Sequence, residues 1–233
     1  VYRRPVPNKV YVYEIKPKRL EAIDEDKVLH ASFSPDGRKL AYVKNNNLYY
    51  KDLGNGTTYQ VTKDGKRNEI INGNADWVYE EEFEFTKAYQ WSPDGKYLAY
   101  YRFDERHVPE YTMTVYDSLY PTPYKYKYPK AGEANSIVEI KIYDLENRRT
   151  VNAHIGEEQD QYIPRIKWSN DPKSLCIYRM NRHQNKLELL LANAETGNSR
   201  VIYWEQNPYF VEVNDNLQFL PDNESFIFNS EQS

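Results

Sequence analysis

One acidic segment combines residue types that could bind a charged ligand. Residues 73–85 read Gly-Asn-Ala-Asp-Trp-Val-Tyr-Glu-Glu-Glu-Phe-Glu-Phe, so three consecutive glutamates stand among aromatic side chains. Asp76 is a suitable N-cap, and acidic residues are favoured in the first turn of a helix, which predicts a short, solvated helix. The aromatic neighbours favour a second interpretation, because apolar surroundings make unpaired charge costly and the glutamates then need a cation. That cation is Ca²⁺, an arginine or the ammonium group of a ligand, and the segment lacks the spacing of an EF-hand calcium loop.

Other reactive residue types show no arrangement typical of catalysis or metal binding. The four histidines share no metal-ligand spacing; they are His30, His107, His154 and His183. Ser199 lies in Gly-Asn-Ser-Arg-Val, which lacks the second glycine of a serine-hydrolase elbow, and we predict that it is a turn residue. The single cysteine, Cys176, occupies the place of Ala41 and Ala99 in the repeat described below, which predicts a small core residue. The sequence therefore predicts no catalytic residue, no bound metal and no cofactor in this chain.

Length, composition and charge exclude several classes of protein. The 233 residues are 39% hydrophobic and 28% charged, with 31 basic and 35 acidic side chains and a formal net charge of -4. This balance gives no electrostatic footprint for nucleic acid. No stretch approaches the roughly 18 to 20 apolar residues of a membrane-spanning helix, and no secretory signal pattern stands at the start. Because the sequence begins at Val1 and ends shortly after a strand-like run, we expect it to be a segment of a longer protein.

Four similar hairpin sequences recur along the chain. In each, an aromatic residue ends one strand, a short turn follows, and an apolar run begins the next strand; they occupy residues 33–42, 91–100, 168–177 and 219–228. The first two contain Ser-Pro-Asp-Gly, in which proline presets φ, aspartate accepts hydrogen bonds and glycine adopts a positive φ. Third and short fourth strands follow several of these hairpins. Four-stranded units in series are typical of propeller blades.

These repeats predict an all-β fold that is part of a β-propeller. We expect about three complete blades, at residues 31–70, 71–153 and 161–203, a partial blade at each end, and a short inserted acidic helix. The hairpins are further apart than the about 40 to 50 residues of an ordinary blade, so we expect non-strand insertions at 105–110 and 120–130. An open arc exposes strand edges, and we therefore expect the longer protein to supply further blades. A β-sandwich is the alternative architecture.

A tract of alternating tyrosine and lysine follows the second hairpin. Residues 120–130 read Tyr-Pro-Thr-Pro-Tyr-Lys-Tyr-Lys-Tyr-Pro-Lys. This alternation predicts a two-faced strand or an extended arm, because successive side chains of a strand point to opposite faces. Two interpretations stay open: a solvated surface hairpin, and an arm whose tyrosines pack on a partner.

The acidic segment and a second block resemble a known family. Residues 76–83, Asp-Trp-Val-Tyr-Glu-Glu-Glu-Phe, strongly resemble the double-glutamate motif of dipeptidyl peptidase IV and its relatives in the prolyl oligopeptidase clan. Residues 128–135, Tyr-Pro-Lys-Ala-Gly-Glu-Ala-Asn, resemble a second block of that family. The likeness covers essentially the whole chain and is strongest over residues 31–145. It implies that residues 1–233 are one fragment of a β-propeller domain, and that an α/β-hydrolase domain with the catalytic triad lies C-terminal to Ser233.

The resemblance implies specific substrate-binding residues. Counting along the motif places the two glutamates that bind the free α-ammonium of a peptide at Glu81 and Glu82. Ungapped counting places an arginine that contacts the substrate carbonyl at Arg3, with Arg4 as the alternative. Relatives carry an aromatic residue and an arginine before the last hairpin, where this chain has Glu212-Val213, so that part of the pocket is left undefined.

The resemblance also implies partners and a setting for the longer protein. Residues 116–135 resemble the propeller arm that contributes to a homodimer contact, and the candidate contact residues are Tyr116, Tyr120, Tyr124, Tyr126 and Tyr128. The implied function is recognition of peptide N-termini by a serine-type dipeptidyl aminopeptidase that prefers proline or alanine second. The implied location is secreted, periplasmic or membrane-tethered. Two alternatives are a non-catalytic interaction propeller and the gating propeller of a related endopeptidase.

Overall fold

The computed structural model describes residues 5–231, and it folds them almost entirely into antiparallel strands. In chain order the elements are β1 (Tyr11–Glu14), β2 (Arg19–Ala22), β3 (Leu29–Phe33), β4 (Lys39–Lys44), β5 (Asn47–Asp52), β6 (Thr58–Gln60), β7 (Ile70–Asn72), α1 (Trp77–Glu82), β8 (Tyr89–Trp91), β9 (Tyr97–Asp104), β10 (Glu110–Val115), β11 (Thr122–Lys127), β12 (Ile137–Asp144), β13 (Arg149–Asn152), β14 (Gln161–Tyr162), β15 (Ile166–Trp168), β16 (Ser174–Asn181), β17 (Lys186–Asn193), β18 (Ser199–Gln206), β19 (Gln218–Phe219) and β20 (Phe226–Ile227).

Three large sheets follow one another along the chain, with a strand pair at each end. The first sheet has the order β3-β4-β5-β6. The middle sheet has the order β13-β12-β9-β7, with β8 also paired to β9, and the third has the order β14-β16-β17-β18, with β15 also paired to β16. The pairs β1-β2 and β19-β20 flank them. This arrangement confirms the expected propeller fold, with three nearly complete blades, partial blades at both ends and an inserted helix.

The burial of β9 distinguishes blades from a two-sheet sandwich. Seven of its eight residues are buried, although a sandwich strand would expose alternate side chains. Leu98 and Tyr100 pack in one cluster with residues of the first sheet, including Ala41. Ala99 and Tyr101 pack in another cluster with residues of the third sheet. The middle sheet is therefore covered on both faces, as a blade between two blades must be.

The Ser-Pro-Asp-Gly turns show why these residues recur. Ser34 Oγ donates to Asp36 Oδ1 at 2.6 Å, and Asp36 Oδ1 also accepts from the backbone N–H of Arg38 at 3.0 Å. Gly37 adopts φ +68°, which is the left-handed conformation that favours glycine. In the last hairpin Asn223 takes this place at φ +58°. The turn chemistry is thus local, and it repeats wherever the sequence does.

An arm projects from the middle sheet between β9 and β12. Strands β10 and β11 pair antiparallel, with Tyr111 opposite Tyr126 and Met113 opposite Tyr124. Thr122–Lys127 of the tyrosine and lysine tract is therefore a strand of a hairpin, so the expectation of a non-strand insertion over 120–130 was wrong for these residues. The prediction of a non-strand segment over 105–110 was wrong at its end, because Glu110 already begins β10.

Cys176 and Ser199 are the two residues whose reactive side chains the sequence analysis had assigned to structural positions. Cys176 is fully buried in β16, as expected of a core residue, and burial raises the pKa of its thiol to about 12. Ser199 is the first residue of β18 rather than a turn residue, and its hydroxyl donates to the carbonyl oxygen of His154.

Within residues 5–231 no helix has the length and apolar character needed to cross a membrane.

Replacing Gly37 tests the conformational requirement of the turns. A Cβ at Gly37 would meet no atom within 4 Å, so the loss in Gly37→Ala comes from the backbone alone. We expect Gly37→Ala to lower the free energy of unfolding by about 1 to 2 kcal/mol. Gly37→Asn should lose much less, because asparagine tolerates this conformation and Asn223 already adopts it. Denaturant unfolding of the full-length protein and both variants measures the difference, and equal losses would contradict it.

Candidate functional site

The acidic helix α1 is inserted into the first strand of the middle sheet. Strands β7 and β8 both pair with β9, so they are two halves of one strand that residues 73–88 interrupt. Gly73 N donates to Tyr101 O at 3.0 Å, and Tyr101 N donates to Ala88 O at 2.9 Å. Gly73 has φ +75°, and a Cβ there would lie 3.0 Å from a methyl of Val43. The insertion therefore leaves and re-enters the sheet at a single residue of β9.

A buried aspartate begins the helix. Asp76 Oδ1 accepts from the backbone N–H of Tyr79 at 2.9 Å, which confirms the predicted N-cap. Its other oxygen accepts from Ser136 Oγ at 2.6 Å. Burial raises the pKa of Asp76 above its ordinary value, although these hydrogen bonds favour the charged form. The cap is thus linked to the segment that precedes β12.

The underside of α1 is held by aromatic packing. Tyr79 is 1% exposed, and its ring lies 4.9 Å from the Phe103 ring and 5.1 Å from the Phe83 ring, centroid to centroid. Its hydroxyl accepts from the backbone N–H of Ile163 at 2.9 Å, which ties the helix to the third sheet. Because a six-residue helix is not stable alone, these tertiary contacts keep it formed.

An arginine from the third sheet holds the end of the helix. Arg165 Nη1 donates to the carbonyl oxygen of Phe83, the C-cap residue, at 2.7 Å. Its Nε pairs with Asp215 at 2.5 Å. A positive charge is favourable beside the last carbonyls of a helix. The sequence did not point to Arg165, because nothing near it in the chain signals a helix whose C-cap lies 82 residues earlier.

Glu81 and Glu82 fall in the last turn of α1 rather than in its first turn. Among the three glutamates, Glu80 alone belongs to the first turn, and the last turn contains no basic residue. Glu80 and Glu81 are partly exposed, and Glu82 is exposed. Negative charge is disfavoured near the carbonyl end of a helix, so the dipole explanation of an acidic first turn does not apply to Glu81 and Glu82. Both interpretations of the acidic run, a solvated helix and a site for a cation, are compatible with this exposure.

The arginine predicted to bind substrate and the pair at which this chain departs from the family pattern lie away from α1 in the sequence. Arg3 and its alternative Arg4 lie outside the described residues. Glu212 and Val213 lie between β18 and β19, where Glu212 borders an open groove and Val213 packs against the main core. No three of the His, Cys, Asp and Glu residues within 5–231 are grouped so that they could hold a metal ion.

The candidate arm tyrosines differ strongly in exposure. Tyr116 and Tyr120 are 79% and 78% exposed at the tip, and Tyr124 is 37% exposed. Tyr126 is buried, and the half-buried Tyr128 packs on Trp77 with ring centroids 4.2 Å apart. The tip and Tyr124 therefore face solvent, whereas the base of the arm packs against its own chain.

The chain is similar to one family model and to several curated proteins. A family model described as the dipeptidyl peptidase IV N-terminal region matches residues 1–233. The probable dipeptidyl-aminopeptidase B of Talaromyces stipitatus is 30% identical over 91% of this chain and 26% of its own length. The prolyl endopeptidase FAP of Bos taurus is 39% identical over 68% of this chain and 22% of its own length. The chain thus spans about a quarter of the length of these curated relatives.

Two solved structures share the fold at substantial sequence identity. The crystal structure of Porphyromonas gingivalis dipeptidyl peptidase 4 superposes with a TM-score of 0.87 and 39% identity, covering 91% of this chain and 30% of that one. The crystal structure of a putative dipeptidyl aminopeptidase IV from Bacteroides ovatus superposes with a TM-score of 0.81 and 31% sequence identity, covering 97% of this chain and 31% of that one.

Two substitutions of Asp76 separate its role as a cap from the effect of its charge. Asp76→Ala should lower the free energy of unfolding by about 1 kcal/mol or more, because the N-cap is lost and the Ser136 hydroxyl loses its acceptor. Asp76→Asn should lose less, because its amide oxygen can still accept from Tyr79. Denaturant unfolding of the full-length variants at pH 7 checks the order, and equal losses would contradict it.

The free energy of unfolding should depend on pH through the carboxyl group of Asp76. Because the pKa of Asp76 is raised in the folded protein, that state holds the proton more tightly than the unfolded chain. The stability contributed by protonated Asp76 is therefore present below the ordinary value of 3.8 and is lost as pH rises through the folded-state pKa. The free energy of unfolding of the unaltered protein should fall relative to Asp76→Asn across that window. Asp36→Asn is the control with the opposite sign, because the Ser34 hydroxyl lowers the pKa of Asp36.

Proposed function

The chain belongs to the dipeptidyl peptidase IV family, as its N-terminal region, and we propose that it is the substrate-recognition portion of a dipeptidyl aminopeptidase. In this proposal Glu81 and Glu82 bind the free N-terminal ammonium of a peptide. The peptidase activity belongs to the longer protein, and the released dipeptides carry proline or alanine second. Arg3, outside the described residues, is proposed to contact the substrate carbonyl.

The placement of Glu81 and Glu82 supports the proposal most directly. Both stand in the last turn of α1, where helix electrostatics disfavours negative charge. A bound ammonium would relieve that cost with a charge-assisted hydrogen bond to each carboxylate. The helix itself is held at its cap, its underside and its end, so the carboxylates keep a defined position.

A carboxylate pair of this kind acts as a ruler, which means that it fixes the distance between the end of the peptide and the bond that is cut. It holds one end of the peptide, and a nucleophile elsewhere then attacks a carbonyl at a set distance from that end. The energy of binding a remote group is converted into positioning of the scissile bond. We propose that the nucleophile, acid and histidine lie in an α/β-hydrolase domain of the longer protein, which contacts this propeller.

The assembly and the location of the longer protein are further parts of the proposal. The exposed tip of the arm, with Tyr116 and Tyr120, supports a homodimer contact, because exposed aromatic side chains are common anchors of interfaces. A secreted, periplasmic or membrane-tethered protein is proposed from the family resemblance.

A gating propeller is the second candidate, because one relative is named a prolyl endopeptidase. An endopeptidase cuts within a chain and has no need of an ammonium anchor. The two candidates therefore differ in one measurable property, the dependence of cleavage on a free amine.

Substrates with and without a free amine test the proposal. We expect the full-length protein to hydrolyse a Gly-Pro chromogenic amide and to cut the N-acetyl form about 30-fold or more slowly, because acetylation removes the charge that the glutamates bind. Glu81→Gln and Glu82→Gln should each lower kcat/KM for the free amine by a similar factor. Steady-state kinetics on both substrates measures these ratios.

Glu84→Gln is the matched control. Glu84 is exposed and follows the helix, so this variant removes one negative charge nearby without altering the proposed anchor. It should change kcat/KM by less than about threefold, as expected for an exposed charge in water. Equal cleavage of the two substrates, together with unaffected Glu81 and Glu82 variants, would reject the ammonium anchor and favour the gating propeller.

A further inference from the structure

The segment that follows the arm contacts α1 at two separate points. The ring of Tyr128, the residue after β11, packs at an angle of 61° against the ring of Trp77, the first residue of α1. Eight residues further on, Ser136 donates to the buried carboxylate of Asp76. Both contacts fall on the first turn of the helix or its cap. Neither Tyr128 nor Ser136 belongs to the proposed ammonium site.

The Tyr128 contact continues into the arm itself. The Tyr128 ring lies 5.5 Å from the Tyr111 ring of β10 and 6.0 Å from the Tyr126 ring of β11. Lys127 Nζ donates to the carbonyl oxygen of Val108 at 2.8 Å, which closes the base of the hairpin. A continuous set of packed rings therefore joins both strands of the arm to Trp77.

The Ser136 contact is tied to the middle sheet instead. Ser136 is 4% exposed and directly precedes β12, whose eight residues all pair with β9. It links the N-cap of α1 to the middle sheet rather than to the arm. The helix is thus held between a sheet anchor at Ser136 and an arm anchor at Tyr128.

We propose that Tyr128 and Ser136 are positioning residues for Glu81 and Glu82, and that the placement of the arm sets the orientation of the glutamate helix. This inference rests on the proposed function, in which those glutamates bind the substrate ammonium. Two further contacts of α1, at Tyr79 and Phe83, lie on the underside and at the far end of the helix. Loss of the Trp77–Tyr128 contact lets the first turn move about those contacts. A displacement of about 1 Å is enough to weaken a positioned interaction strongly.

Three substitutions and one control test the proposal in the full-length protein. Tyr128→Ala removes the ring, Tyr128→Phe keeps it, and Ser136→Ala removes the hydrogen bond to Asp76. Tyr209→Ala is the control, because Tyr209 is an 89% exposed tyrosine in the loop after β18. Amide hydrogen exchange of the peptide that spans residues 76–83 reports the anchoring of α1, and kinetics on the free-amine and acetylated amides report its consequence.

We expect Tyr128→Ala and Ser136→Ala to speed exchange in α1 and to raise KM for the free amine by about 2- to 10-fold, with kcat changed less than KM. Cleavage of the acetylated substrate should stay unchanged, because that substrate does not use the glutamates. Tyr128→Phe should behave as the unaltered protein, since it retains the ring contact. Tyr209→Ala should alter neither readout.

The two readouts separate this inference from the proposed function. If Glu81→Gln loses the preference for a free amine but Tyr128→Ala and Ser136→Ala keep both KM and slow exchange, the positioning role is wrong and the function stands. If the unaltered protein shows no preference for a free amine, the proposed function is wrong and the positioning of an ammonium site falls with it. Equal effects of Tyr128→Ala and Tyr128→Phe would also overturn the positioning role, because the ring contact would then be irrelevant.

Discussion

The arrangement of the site depends on how β9 keeps its hydrogen bonds across the insertion in its neighbouring strand. The carbonyl oxygen and the N–H of Tyr101 bond to Gly73 and Ala88, and Ala88 N also donates to Gly73 O at 3.1 Å. The two ends of the insertion are thereby held together beside one residue of β9. Because the ladder continues on both sides, the sheet loses little by carrying the insertion. The insertion that carries the short helix is consequently closed at its base by backbone hydrogen bonds.

The free energy of burying aromatic side chains explains why this short helix forms although the charges in its last turn oppose it. Unfavourable dipole interactions of carboxylates in the last turn cost about 0.3 to 1 kcal/mol each. Full burial of a large apolar or aromatic side chain contributes about 1.5 to 3 kcal/mol, and Tyr79 and Phe83 are both buried beneath α1. The packing therefore outweighs the electrostatic cost. The helix can hold glutamates in its last turn, where an isolated peptide would not, because the packing of Tyr79 and Phe83 stabilises it.

Local features of the fold and site were predictable from the sequence, and long-range ones were not. The turn around Gly37 and the cap at Asp76 depend on residues within three or four positions, so their patterns are visible in the chain. Ser136 reaches Asp76 across 60 residues and Arg165 reaches Phe83 across 82, and neither carries a local signal. The acidic run was interpretable in two ways because the sequence shows neither the length of α1 nor which side chains surround its glutamates, although the predicted N-cap at Asp76 placed its start correctly. Since the helix begins at Trp77, only Glu80 lies in the first turn.

On the proposed function, the site must hold the end of the substrate in a defined place. An anchor on a mobile loop would hold the scissile bond less precisely, because loops move more than the strands and helices they connect. An anchor on a sheet inherits the rigidity of the sheet, and α1 is fixed to the middle and third sheets through Asp76, Tyr79 and Phe83. The first turn also contacts the arm, through the rings of Trp77 and Tyr128. On the proposed function, this ring contact and the Ser136–Asp76 hydrogen bond together set the direction in which α1 presents its glutamates.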